Sequence, residues 1–188
     1  MKKGLLIIYS GPSGVGKSTV RQEFFKDESL KLTYSISMTT RLPRVGEKDG
    51  VDYFFVTRDE FMKAVEDGEL LEHAEYVGNC YGTPKSYVDK LRKKGKNVIL
   101  EIDIEGAKQV MAKEPDCVSI FLVPPTIATL RKRIKGRGSD SKEVIDKRIE
   151  VAKKEIAQKD IYKYVVVSDT IEETAERIKQ IIKEEMSK

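Results

Sequence analysis

A single histidine, His73, stands in the 188 residues, so a Ser-His-Asp triad and a histidine-built zinc centre are effectively excluded. Cysteine is almost as scarce. Cys80 and Cys117 lie far apart, without metal spacing, and read as free thiols of a cytoplasmic protein. Tryptophan is absent, which carries no functional message. No apolar run approaches the ~20 residues needed to cross a bilayer, and Met1-Lys2-Lys3-Gly4 leads straight into a short strand rather than a secretory leader. Neither sign of charge dominates: Lys+Arg 35 stand against Asp+Glu 31, net +4. That balance makes no case for nucleic acid and fits anionic small molecules equally well. Repeats, low-complexity tracts and long linkers are missing too.

What is present begins with Gly11-Pro12-Ser13-Gly14-Val15-Gly16-Lys17-Ser18. The spacing G-x-x-x-x-G-K-S follows the apolar run Leu5–Tyr9 and opens onto a helical segment, the context a phosphate-binding loop requires. Glycines let the backbone turn so that successive N–H groups face inward, and the following helix adds its unpaired N–H groups and dipole. Lys17 can reach β- and γ-phosphate oxygens, and Ser18 offers a hydroxyl to Mg²⁺.

Apolar runs at 5–9, 98–102, 118–123 and 164–167 alternate with helical segments at 18–26, 83–94, 106–113, 127–135, 142–158 and 171 onward. This alternation predicts an α/β fold with a mainly parallel sheet flanked by helices. Thr57-Arg58-Asp59-Glu60 and Thr170-Ile171-Glu172-Glu173 are capping boxes, and Thr83-Pro84 reads as an N-cap followed by proline at the first helical position. The stretch 35–80 differs, with strands at 34–37, 53–56 and 70–76, a polar loop at 38–50 and a turn at Gly78-Asn79. It reads as an inserted, strand-rich lobe.

Glu101 and Asp103 fall at the carboxyl end of an apolar strand, on the same side by alternation. Two carboxylates there point to a metal, a cationic side chain or a substrate donor; a solvated strand end is the plain alternative. Asp103-Ile104-Glu105-Gly106 also has the D-x-x-G spacing of GTPases, but no N-K-x-D base-reading motif follows. Arg131, Arg133, Arg137 and Arg148 surround the glycine-flanked break Gly136-Arg137-Gly138, an arrangement suited to a lid that closes over phosphates. Any one of them alone reads equally as a solvated surface residue. Arg41 and Arg44, three residues apart, can clamp one phosphate. Tyr53 and Tyr81 read as half-buried strand aromatics, Glu72 as a surface carboxylate and His73 as a packing or surface residue.

Taken together, the phosphate loop, Thr39-Thr40-Arg41-x-Pro43-Arg44-x-Gly46-Glu47, Asp52-Tyr53-x-Phe55, Tyr81-Gly82, Glu101-Ile102-Asp103-x-x-Gly106 and the Arg137 segment resemble the guanylate kinase family over nearly the whole chain. The resemblance implies a P-loop NTPase-type three-layer core (about 1–34, 81–130 and 159–188), a GMP-binding lobe (about 35–80) and an arginine-bearing helical lid (about 131–158). It implies transfer of the γ-phosphoryl group of ATP to GMP with Mg²⁺, and ATP and GMP, with dGMP as a further acceptor, as the partners. A monomer or small homo-oligomer without nucleic-acid or membrane partners is expected.

Carried over residue by residue, GMP binding falls on Ser37, Arg41, Arg44, Tyr53, Glu72, Tyr81, Thr83, Glu101 and Asp103. Among these, Arg41, Arg44, Tyr53 and Tyr81 would hold the phosphate, while Glu72 and Ser37 would face guanine. ATP would sit on Gly11 to Ser18. Lys17, Arg41, Arg133, Arg137 and Arg148 would neutralise charge in the transfer, with Ser18 as the Mg²⁺ ligand and Asp103 reaching the metal through water. Thr83 stands where several relatives have Ser, Glu101 where some have Asp, and Ser168 where some place Asn near adenine. A related P-loop kinase with another phosphorylated acceptor and a non-catalytic guanylate-kinase-like binding module are the competing readings.

Overall fold

The computed structural model describes residues 2–136 and 140–188. Arg137, expected in the lid, lies outside the described residues.

Five parallel strands form the core sheet: β1 (Leu6–Ser10), β2 (Leu32–Tyr34), β7 (Asn97–Glu101), β8 (Val118–Val123) and β9 (Tyr164–Val167), in the order β2-β7-β1-β8-β9. Every residue of β1 is buried, because helices cover both faces of the sheet. Ile7 and Tyr9 meet Phe24, Ile120, Leu122 and Ile178 on one side. Leu6 and Ile8 meet Val98, Leu100, Val110 and Phe121 on the other. Burying one such side chain fully contributes about 1.5–3 kcal/mol, so the strand that feeds the phosphate loop is firmly held. Helices α1 (Lys17–Phe24) and α7 (Ile171–Ser187) pack together on the first face. On the second lie α3 (Lys85–Lys93) and α4 (Ile104–Lys113).

A second sheet, in the order β4-β3-β6-β5, holds β3 (Met38–Thr39), β4 (Phe54–Phe55), β5 (Leu70–Tyr76) and β6 (Asn79–Pro84), with α2 (Arg58–Glu66) packed on it through Phe61 and Ala64. The capping box at Thr57 and Glu60 forms as expected. Two further helices, α5 (Ile127–Gly136) and α6 (Lys142–Ile156), share the apolar cluster Leu130, Ile134, Ile145, Ile149 and Ala152.

Three expectations are corrected. The single strand at 34–37 is split: Tyr34 ends β2 in the core sheet, and Met38 begins β3 in the lobe sheet, so Ser35–Ser37 is the crossing between them. Thr39, expected in a loop, pairs with Tyr81 and donates its hydroxyl to the Cys80 carbonyl at 2.9 Å. Thr83 does not cap α3. β6 runs on to Pro84, which takes the cap position without a side-chain bond, so Tyr81 and Thr83 belong to the lobe sheet.

Candidate active site

The phosphate loop leaves β1 and is bent by three glycines at φ 155°, 84° and 108° (Gly11, Gly14, Gly16). Left-handed backbone at Gly14 and Gly16 is open to glycine and strained for other residues. Gly16 then caps α1. Lys17 folds back over the loop, its ammonium donating to the carbonyls of Gly11 (2.5 Å) and Pro12 (3.2 Å). Ser18 is exposed. A cavity of about 450 Å³ is bordered by Lys17, Ser18, Glu101, Asp103 and Glu155, so the carboxylates expected at the strand end do share a wall with the phosphate loop.

Each carboxylate has a different occupation. Glu101 accepts from Arg21 at 2.5 Å and from the Tyr34 hydroxyl at 3.1 Å, with the Arg21 guanidinium 4.5 Å over the Tyr34 ring. Asp103 is the N-cap of α4 and accepts from the Gly106 N–H at 2.8 Å. The D-x-x-G spacing is therefore a helix cap. Glu155, near the end of α6, is half-buried. Burial raises its carboxyl above the ordinary value; Lys17 opposes that shift and Asp103 adds to it.

The lid arginines that are described turn to the protein itself. Arg133 donates to the carbonyls of Val15 (3.1 Å), Ser168 (2.9 Å) and Asp169 (2.8 Å). It thereby ties α5 to the back of the phosphate loop, beside a second cavity of about 530 Å³ that also borders Thr19 and Ile171. The Ser168 hydroxyl donates to the same Val15 carbonyl at 2.9 Å. Arg148 bridges Asp140 (2.8 Å) and the Ser13 hydroxyl (2.7 Å), so α6 already touches the loop. Arg131 pairs with Asp146 on the surface.

In the lobe, Arg41 lies 5.3 Å from the Tyr53 ring, and Tyr53 packs edge-on to Tyr81 with centroids 6.2 Å apart. Glu47, which was quoted in the sequence motif without a role, grips Arg41 with both carboxylate oxygens (3.0 and 2.8 Å). The Arg44 side chain is exposed. Ser37 is half-buried, with its carbonyl accepting from the Phe54 N–H at 2.9 Å. Glu72, read as a surface residue from sequence, is only 7% exposed. It accepts from the Thr83 hydroxyl at 2.6 Å. Burial raises its carboxyl, Thr83 lowers it, and the charge of Asp103 raises it again. Its close neighbour is Gly106: a methyl group there would come within 3.1 Å of Glu72 Oε2 and press on the carboxylate.

Comparison with known proteins fits this geometry. The guanylate kinase family model matches residues 3–185. The chain belongs to the guanylate kinase family. Similar curated relatives include the guanylate kinases of Streptococcus mutans serotype c and Streptococcus pyogenes serotype M3. Each is 56% identical over 184 residues, which is 98% of this chain and 88% or 87% of the relative. The crystal structure of guanylate kinase from Anaplasma phagocytophilum superimposes with a TM-score of 0.73 at 36% identity, covering 100% of this chain and 89% of that one.

Within the guanylate kinase frame, Arg21, Glu47 and Glu155 are the residues that sequence reasoning left without a role. Arg21 was findable, being one helical turn beyond Lys17. Glu155 was not, because nothing separates it from the other charged residues of α6.

The donor set suits Mg²⁺. No group of three or more His, Cys, Asp or Glu side chains that could hold a metal occurs among the described residues. The protein offers one exposed hydroxyl and the nearby Asp103, as expected for an ion that keeps waters and takes most other ligands from substrate phosphates.

Proposed function

We propose that this chain transfers the γ-phosphoryl group of MgATP to GMP, giving ADP and GDP. The observation that carries the reading is the continuity of the two halves. The wall of the phosphate-loop cavity includes Asp103, and its carboxylate and that of Glu72, the buried carboxylate of the lobe, both lie against Gly106.

Lys17 holds β- and γ-phosphate oxygens of ATP on the backbone cradle of Gly11–Ser18. Arg41, Arg44, Tyr53 and Tyr81 hold the phosphate of GMP. Glu72 accepts from guanine N1–H and N2–H₂, with Ser37 and Thr83 beside it; adenine offers an acceptor at N1 and would leave the buried carboxylate unpaired. Ser18 would hold Mg²⁺, with Asp103 reaching it through water, and the ion would neutralise phosphate charge. No general base is needed, since the acceptor is already an anion, so catalysis rests on positioning and charge neutralisation. Arg133 supports the loop from behind by its three carbonyl bonds, while Arg148 approaches from α6.

No helix among the described residues is long and apolar enough to cross a membrane, and both cysteines are free and buried. A cytoplasmic location agrees with the unpaired thiols.

A coupled ADP-release assay over GMP, dGMP, AMP, CMP and UMP tests the reading, with turnover expected for the guanine nucleotides. In the same assay Lys17→Ala is expected to lower kcat by about 10²-fold or more, with little change in melting temperature. Near-wild-type turnover in that variant would remove the phosphate loop from the mechanism.

A further inference from the structure

Glu47 accepts three hydrogen bonds at the tip of an otherwise open loop. Its Oε1 accepts from Arg41 Nη2 (2.8 Å), and its Oε2 from Arg41 Nη1 (3.0 Å) and the Arg44 backbone N–H (2.7 Å). The Glu47 N–H in turn donates to the Arg44 carbonyl at 3.0 Å, closing a turn in which Gly46 sits at φ 91°. Around it Leu42, Pro43 and Val45 are exposed. Arg41 also lies over the Tyr53 and Phe55 rings, so its place is set by those rings together with this carboxylate, while Arg44 is held through its backbone N–H.

The bond pattern also decides which side of Arg41 is presented. A guanidinium has five N–H groups in a fixed fork. Glu47 takes the Nη1/Nη2 end, and the Leu42 carbonyl accepts from Nη1 at 2.9 Å. The edge that remains is Nε with Nη2, two parallel donors in the spacing that suits a phosphate. The Tyr53 ring lies 5.3 Å from this guanidinium, and the Tyr81 hydroxyl hydrogen-bonds with it.

From this we infer that Glu47 is a positioning residue of the acceptor-phosphate site: it occupies one edge of Arg41 and the backbone of Arg44, and so turns the other edge of Arg41 to the acceptor's phosphate. The inference rests on the GMP reading above and adds to it how the arginine pair is aimed. A carboxylate that merely filled the place of an absent phosphate would have the opposite effect on binding. Its negative charge repels the phosphate dianion, so a simple competitor would tighten GMP binding when neutralised. A positioning residue would weaken it.

The test compares wild type with Glu47→Gln and Glu47→Ala, using calorimetric GMP binding and steady-state kinetics, with melting temperatures as the folding control. Glu47→Gln is expected to raise Kd and KM for GMP about 10-fold, and Glu47→Ala more, since charge-assisted hydrogen bonds are lost from the arginine pair. KM for ATP should stay within about 2-fold, a split between the two substrates that general loosening of the fold would not give. GMP affinity unchanged or tightened in Glu47→Gln overturns the inference while leaving the GMP reading intact. A wild-type protein that neither binds nor phosphorylates GMP overturns both.

Discussion

At the scale of the residue, Glu72 shows function set against stability. It is buried, has one hydroxyl partner in Thr83, and lies near a second carboxylate at Asp103. Burial raises its pKa above the ordinary 4.5, so in the folded protein the charged form is disfavoured. The sign of the linkage follows: its contribution to stability is full at low pH and is lost as pH rises through the raised value. Glu72→Gln should therefore raise the melting temperature of the ligand-free protein at neutral pH, while Gln still accepts from Thr83. The same change should weaken GMP by about 10-fold or more and ATP little, because the guanine donors lose a charged acceptor. Calorimetry with each nucleotide, beside thermal melts, checks both halves; equal loss of GMP and ATP binding would mean that Glu72 does not read the base. In wild type, GMP affinity should fall on acidification at a pH above the usual glutamate range, as Glu72 takes up its proton.

At the scale of the element, the β5–β6 hairpin carries a local conflict. Its two-residue turn is Val77-Gly78, with φ 49° and 73°, the conformation that favours Asn-Gly. The sequence places a turn signal at Gly78-Asn79, one residue late, because valine is a poor candidate for left-handed backbone. The Val77 side chain is 79% exposed and has little packing to lose. Val77→Asn is expected to stabilise the protein by about 1 kcal/mol, measured by urea unfolding, with GMP and ATP kinetics unchanged. A neutral or destabilising result would show that this turn is not strained.

Legibility follows the same logic. Strands β1, β7 and β8 were readable because burial on both faces leaves a continuous apolar run; edge strand β9 was readable from its valine run alone, although Val165 and Val167 are exposed. The phosphate loop was readable because its spacing is dictated by backbone geometry. The lobe was harder. Met38–Thr39 and Phe54–Phe55 are two-residue strands, too short for any period to register, and they exist through pairing with distant residues such as Tyr81 and Gly82. Thr83 looked like a helix cap since Thr-Pro ordinarily is one, and tertiary structure assigned its hydroxyl to Glu72 instead. Glu72 itself looked like a surface residue, since burial of a carboxylate has no signature in one sequence.

At the scale of the whole molecule, the carboxyl-terminal helix is clasped to the edge of the core sheet through Glu185. This side chain is 7% exposed and accepts from Lys188 (2.5 Å), Tyr164 (2.5 Å) and Lys163 (2.9 Å). Against the cost of burial, these bonds pull its pKa down to about 2. A depressed carboxylate contributes stability that is present above the ordinary 4.5 and is lost as pH falls toward the folded value. Glu185→Gln should lower the melting temperature at pH 7 and flatten the loss of stability between about pH 4.5 and 2. A variant with an unchanged acid limb would place the acid-sensitive group elsewhere.

The lobe and the core are stitched together along one line. Gln109 of α4 accepts from the His73 N–H and donates to the His73 carbonyl, both at 3.0 Å. Four residues on, one helical turn away, Lys113 donates to the Leu70 carbonyl at 2.8 Å. This seam lies beside Glu72, whereas Arg41 and Arg44 sit on the open loop between β3 and β4. The seam behaves as the spine of a book: Glu72, proposed to read guanine, lies in the binding, and Arg41 and Arg44, proposed to hold the phosphate, lie on the free page. On the proposed reading, guanine would meet the side of the lobe bonded to α4, and its phosphate the loop that lacks those bonds. Amide exchange should show this asymmetry, with GMP slowing exchange across 41–52 far more than across 70–73.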